Sequence, residues 1–159
     1  MSLYDVFFSI ALLFNRLRIG YAVIGGIALA FHAVPRFTRD IDVLVHGDDM
    51  DFLRTAMDEL GFEEKAEPRK LDNTTLTLHR FLKIEGEDEI MVVTLVTDSE
   101  EQYRIIRDAD HAESRIGTVS IAARLDLIWL RRSRNSLRDR VDILELEKND
   151  EDSESSQAR

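Results

Sequence analysis

The sequence contains no cysteine, which excludes disulfides, thiolate zinc sites and cysteine nucleophiles together. Long hydrophobic runs are also missing. No apolar stretch approaches the ~20 residues needed to cross a bilayer, and the longest, VFFSIALLF, is followed at once by Asn15, Arg16 and Arg18. That piece lacks the basic start and small-residue cleavage site of an export signal, so it reads as a core helix, with the cytoplasm as the expected compartment and no membrane partner. The four histidines, His32, His46, His79 and His111, show no i, i+4 pair and no zinc-like spacing, and none is assigned as a ligand. No serine sits in a G-x-S-x-G pattern, so covalent hydrolase chemistry has no support. Positive charge is in deficit: the formal net charge of -10 argues against a protein that coats nucleic acid, because phosphate contacts need Lys and Arg. The one concentrated basic run is RRSRNSLRDR, residues 131–140, with five arginines. It reads as a solvated helix end and turn paired in part with Asp139 and Asp142, and as the place where RNA, nucleotide or an acidic partner would bind.

What is present is enough apolar sequence for one ordinary domain. The 159 residues divide into a single domain over 1–146 and an acidic tail over 147–159, which is too polar to bury surface and is expected to be disordered. SLYDVFFSIALLFNRL has apolar residues at Val6, Phe7, Ile10, Leu13 and Leu17, a helical spacing, with Ser2 and Asp5 placed to cap it. YAVIGG reads as a strand entering a glycine turn, and IALAFHAV as a helix that stops before Pro35. In DIDVLV, alternation puts Ile41, Val43 and Val45 on one face of a strand and Asp40, Asp42 and Leu44 on the other. DDMDFLRTAMDELGF is an amphipathic helix with Phe52, Leu53, Ala56, Met57 and Leu60 on one side and Gly61 just past its end. TTLTLHRFLKIEG and EIMVVTLVT form two strands joined through EGEDE; SEEQYRIIRDADHA is helical, RIGTVSIAA holds a short strand, and ARLDLIWLRRSR and LRDRVDILELEK are closing helices. Trp129 falls on an apolar helical face and is expected in the core. The fold class is α/β in the mixed, α+β sense: a small mixed sheet flanked by helices, with helices at the C-terminus.

One stretch carries chemistry: GGIALAFHAVPRFTRDIDVLV, residues 25–45. On a strand, Asp40 and Asp42 point the same way with Cα atoms ~6.6 Å apart. Paired carboxylates at that spacing suit Mg²⁺ or Mn²⁺ when substrate phosphates supply further oxygens. Gly25 and Gly26, between a strand and a helix, let the backbone approach a phosphate at a helix N-terminus. Arg36 and Arg39 flank Thr38 just before the aspartates and would offer a triphosphate donors beside its metals. Each piece alone is common: a lone Asp-x-Asp is usually a solvated strand face, and a lone Gly-Gly is usually a turn. The combination in this order is more specific.

The run VIGGIALAFHAVPRFTRDIDVLV resembles the signature of the polymerase-β-type nucleotidyltransferase superfamily, in the manner of its minimal, AbiEii-like bacterial group. VSIAARLDLIWLRRSRNSLRDRVDILEL resembles that group's closing helices, with Asp139 and Asp142 as the Asp pair and Trp129 where a lysine is common. The resemblance implies a nucleotidyltransferase fold, Gly25 and Gly26 in the phosphate-binding turn, and Asp40 and Asp42 as catalytic metal ligands. It also implies NTP as substrate, a protein, RNA or small-molecule hydroxyl as acceptor, and a place in a toxin–antitoxin pair with an antitoxin-type protein partner. Active relatives carry a third carboxylate on a later strand. Aligning EIMVVTLVTDSEE on its apolar pattern places Thr94 there, with Asp98 capping the next helix and Glu89 facing away. Thr94 cannot hold a metal strongly or accept a proton at neutral pH. Two readings therefore stand: an enzyme that transfers an NMP with two aspartates or with a partner's carboxylate, and a degenerate fold that binds nucleotide or a partner without chemistry.

Overall fold

The first helix begins at a reciprocal cap. In the computed structural model, which describes residues 2–33, 38–71, 74–114, 117–134 and 143–148, Ser2 N donates to Asp5 Oδ2 at 3.1 Å and Asp5 N donates to Ser2 Oγ at 3.2 Å. These bonds satisfy two of the orphan donors at the start of α1 (Leu3–Leu17). The apolar stripe then buries Val6, Phe7, Ile10, Leu13 and Phe14, whereas Leu17 at the helix end is 42% exposed. Next come β1 (Tyr21–Ile24), α2 (Gly25–His32), β2 (Asp40–His46), a single 3₁₀ turn, α3 (Met50–Glu59), β3 (Glu63–Lys70), β4 (Thr77–Glu85), β5 (Asp88–Thr97), α4 (Glu100–Arg107), β6 (Asp110–Ser114), β7 (Gly117–Ile121) and α5 (Arg124–Arg134). A last helical segment, α6 (143–148), buries Ile143 and Leu146.

All seven strands join one mixed sheet in the order β3-β4-β5-β2-β1-β7-β6. The pairs β2–β5 and β1–β7 are parallel and the remaining four are antiparallel. The sheet is larger than the sequence pattern suggests, because β3 and β6 carry no apolar alternation. EEKAEPRK is exposed at every position and contains Pro68, so it lacks both the pattern and one ladder donor. It survives as an edge strand, with a register shift between Lys65 and Arg69 and a left-handed residue, Ala66. Likewise His111 and Ala112 lie in the polar edge strand β6 rather than at the end of a helix. Within α3, Leu53, Ala56 and Met57 are buried as expected, but Phe52 is 64% exposed.

Ladder partners share a face, so the register sorts side chains into two layers. Tyr21, Ile41, Val43, Val45, Val92, Thr94, His79 and Phe81 share one face. The helices α1 and α3 cover that face: Phe14 meets the Tyr21 ring edge-on at 5.5 Å, and Arg54 of α3 bonds Glu64, the neighbour of Phe81. Asp40, Asp42, Leu44, His46, Met91, Val93, Leu95, Thr97 and Arg80 share the other. There α4 seats Tyr103 against the His46 ring at 5.0 Å, and α5 is tied to α4 through Arg104 and Asp126 at 2.9 Å. Among the described residues no helix is long and apolar enough to cross a membrane.

Candidate active site

The two aspartates are placed by an antiparallel pair. Tight pairing of β1 with β2 sets Ile24, the last residue of β1, opposite Asp42. The chain then turns at Gly25, whose φ of +70° lies in the left-handed region that a side chain resists. A Cβ on Gly25 would lie 1.9 Å from Asp42 Oδ2, so the Asp42 carboxylate occupies the space that glycine leaves. A Cβ on Gly26 would lie 2.7 Å from Thr38 Oγ1. Thr38 Oγ1 in turn donates to the Asp40 carbonyl at 3.2 Å, which pins the chain as it enters β2. Both glycines are therefore required by close approach. Asp40 and Asp42 are half-buried on the same face of β2, with buried Ile41 and Val43 facing the other way.

The N-terminus of α2 carries no side-chain cap; its N-cap residue is Ile24. Ile24 has no side-chain oxygen with which to cap the helix, and the helix start lies beside the Asp42 carboxylate. From the far side, Arg131 of α5 donates through Nη2 to the Gly25 carbonyl at 3.1 Å and is only 5% exposed. Arg131 was expected in a solvated basic run. Instead a buried guanidinium holds the glycine turn, because α5 lies antiparallel on α2, His32 Nε2 reaching the Ala122 carbonyl at 2.8 Å at the opposite end. Arg132, next in that run, pairs with Glu147 at 2.8 Å.

Register also relocates the expected third position. In the parallel β2–β5 pair, Asp42 stands beside Val93, and Thr94 stands beside Val43. Thr94 is therefore on the opposite face from the aspartates: it is fully buried under α1 and α3, and its Oγ1 has no hydrogen-bond partner. It neither replaces a catalytic carboxylate nor lines the site. The positions that flank the aspartates on β5 are Met91, Val93 and Leu95. Glu89 belongs to that face too, two residues before Met91 and exposed, rather than facing away. One strand further out, Arg80 pairs with Val93 and is exposed on the same face, with no ion pair among the described residues. Among the described residues no three His, Asp or Glu side chains gather into a metal-binding group.

Of the other anticipated residues, Arg39 is exposed directly before Asp40, and Arg36 lies outside the described residues, as do Asp139 and Asp142. Asp98 does not cap α4; Ser99 does, its hydroxyl accepting from Gln102 N, while Asp98 packs against Gly47. Trp129 is not in the core but 43% exposed. Sequence reading missed Arg131, Arg80 and the role of Val93. The β4–β5 turn was a usable signal for Arg80, since counting back from the Glu85–Asp88 pair gives Arg80 opposite Val93. No local signal sets β5 against β2.

A divalent cation fits this donor set in part. Two half-buried carboxylates share one face beside an uncapped helix start and a glycine turn. A full oxygen shell would need further oxygens from phosphate and water, as Mg²⁺ sites commonly have.

No protein-family model matches the chain, and no curated protein matches it in sequence. Solved structures do match its fold. Antibiotic-resistance factor ANT(2'')-Ia matches with a TM-score of 0.53 over 99% of this chain and 95% of that one, at 17% identity. The lincosamide antibiotic adenylyltransferase LnuA, lincomycin-bound, matches with a TM-score of 0.55 over 85% of this chain and 90% of that one, at 10% identity. A Thermotoga maritima protein assigned to the nucleotidyltransferases matches with a TM-score of 0.53 over 92% and 89% of the two chains, at 12% identity.

Proposed function

From a chain folded as a polymerase-β-type nucleotidyltransferase, we propose one reaction: transfer of a nucleoside monophosphate from an NTP to a hydroxyl acceptor. In that reaction the acceptor oxygen bonds to the α-phosphorus. The bond from that phosphorus to the α,β-bridging oxygen breaks, pyrophosphate leaves with the electron pair, and the hydroxyl proton passes to water. Asp40 and Asp42 would hold Mg²⁺ or Mn²⁺, which when bound neutralises phosphate oxygens and polarises the α-phosphate. The remaining work belongs to the chain. Gly25 and Gly26 admit the triphosphate to the uncapped start of α2. The buried Arg131 fixes the turn that presents those N–H groups. Arg39 and Arg36 stand next in sequence as phosphate donors.

The observation that carries this reading is the Asp42 carboxylate seated in the space left by a left-handed Gly25, with Asp40 on the same face. A solvated strand face has no need of a glycine shaped to its aspartate. Calorimetric titration of Mn²⁺ with non-hydrolysable ATP and GTP analogues tests it. Binding that needs the metal and vanishes in Asp42→Asn supports the reading; no binding to either form removes it.

One observation favours the second reading, nucleotide binding without transfer: the β5 residues beside the aspartates are Met91, Val93 and Leu95, none of which can take a proton. That form binds Mn²⁺-nucleotide in the same titration but releases no pyrophosphate with any acceptor.

A further inference from the structure

On the two strands beyond β2, Arg80 is the one cation that shares the face of Asp42. The register sets Asp42, Val93 and Arg80 in a single row across β2, β5 and β4. With strands ~4.8 Å apart, the Arg80 Cα lies ~9.6 Å from that of Asp42, and Val93 alone stands between them in the row. The Arg80 side chain is exposed and makes no ion pair among the described residues. Its neighbours on this face are apolar on three sides: Leu78 and Leu82 along β4 and Val93 on β5, all half-buried. On the fourth side, Lys65 of β3 has taken Glu63 at 2.9 Å. Charges that guard a sheet against aggregation sit on its edge strands. Arg80 does not, because β4 is paired on both sides, to β3 and to β5. A guanidinium held over apolar residues, one strand from the neighbours of Asp40 and Asp42, is placed for an anion brought in by the substrate.

We propose that Arg80 contacts the α-phosphoryl group of the nucleotide, the group that is transferred; this rests on the transfer reading above. That reading brings the triphosphate in over the start of α2, on the β1 side of Asp42. Arg80 faces it from the β4 side, so the phosphoryl group carried over Asp40 and Asp42 lies between the two. Guanidinium donors form a fork that matches two phosphate oxygens at about 2.8 Å. The net charge of -10 gives such a cation its work, since a polyanionic substrate otherwise meets an acidic protein. Placed there, Arg80 also offsets charge on the phosphoryl oxygens while the acceptor oxygen bonds and pyrophosphate leaves.

The test is calorimetric and needs no acceptor. The Mn²⁺ complexes of α,β-methylene-ATP and of pyrophosphate are titrated into the unaltered protein, Arg80→Gln and Arg80→Lys. Arg80→Gln is expected to weaken the nucleotide analogue about tenfold, the worth of one hydrogen bond to a charged group. Arg80→Lys keeps the charge without the fork and recovers part of that loss. Pyrophosphate, which lacks the α-phosphoryl group, is expected to behave alike with all three proteins. Their urea midpoints are expected to coincide, because Arg80 is exposed and supports no other element; a merely structural role would move the midpoint instead. Nucleotide affinity unchanged in Arg80→Gln overturns the assignment and leaves the Asp40 and Asp42 reading standing. A pyrophosphate affinity that falls as far as the nucleotide's also overturns it, by moving Arg80 to the leaving group. Failure of the unaltered protein to bind Mn²⁺-nucleotide removes the transfer reading, and Arg80's role with it.

Discussion

Alternate residues of β2 and β5 face opposite ways into very different surroundings. On one side Ile41, Val43, Val92 and Thr94 are at most 1% exposed under α1 and α3. On the other, Asp40 and Asp42 are half-buried beside Met91 and Val93, with the exposed Arg80 one strand away. The backbone is shared, so a shift of a single residue moves a side chain from a metal-competent surface into a dry core. A sequence alignment that misplaces one residue, as at Thr94, therefore changes the chemistry assigned to it.

The sharpest way to break this comparison is to put the same carboxylate on each face. Thr94→Asp buries an uncompensated charge and is expected to cost about 3–5 kcal/mol by urea unfolding. Val93→Asp, one residue away, completes a three-carboxylate group beside Asp42; it is expected to leave the fold intact and to tighten Mn²⁺ binding by calorimetry. Equal destabilisation by both substitutions would refute the assignment of faces. Truncation separates the faces next. Ile41→Ala should cost about 2–5 kcal/mol, the range for a large-to-small change in a packed core, while folded molecules keep their Mn²⁺-nucleotide affinity. Asp40→Asn should do the reverse, with affinity lost and the unfolding midpoint nearly unmoved.

Gly25→Ala joins the two effects. Left-handed strain alone costs about 1–2 kcal/mol, and the new Cβ must displace the Asp42 carboxylate. Both lower stability and loss of metal-dependent binding are expected; a variant that binds normally would show that Gly25 does not shape the site. Thr94→Val sharpens the comparison from the buried side. Its hydroxyl has no partner, so removing it should raise stability by about 1 kcal/mol and leave nucleotide binding untouched.

The smallest effect lies at the sheet edge. Burial raises the Glu64 carboxyl pKa, but His79 Nδ1–H and Arg54 Nε–H, donating at 2.8 and 3.0 Å, outweigh it and hold the group below its ordinary 4.5. A depressed folded-state pKa contributes stability above the unfolded value and loses it as pH falls through the folded one. Acidification below about pH 4.5 should thus weaken the protein more steeply than it weakens Glu64→Gln, measured as urea midpoints against pH. Parallel pH profiles would remove the cluster from any account of stability.

By itself the sequence determined whatever depends on neighbours along the chain. Ser2 and Asp5 cap α1, glycines end β1, alternation sets Asp40 and Asp42 on one side of β2, and the β4–β5 pair is legible from its apolar runs and short turn. These follow from local periodicity and backbone sterics, which a short window contains. Tertiary structure alone decided which residue stands beside Asp42, because β2 and β5 are parallel and joined through α3 and two other strands, leaving no turn to fix their register. It also drew the polar strands β3 and β6 into the sheet through ladder bonds that side-chain pattern does not encode. The same packing buried Arg131 against Gly25 and left Trp129 at a cleft: α5 presents one side to α2 and another to open space, and only its neighbours select which.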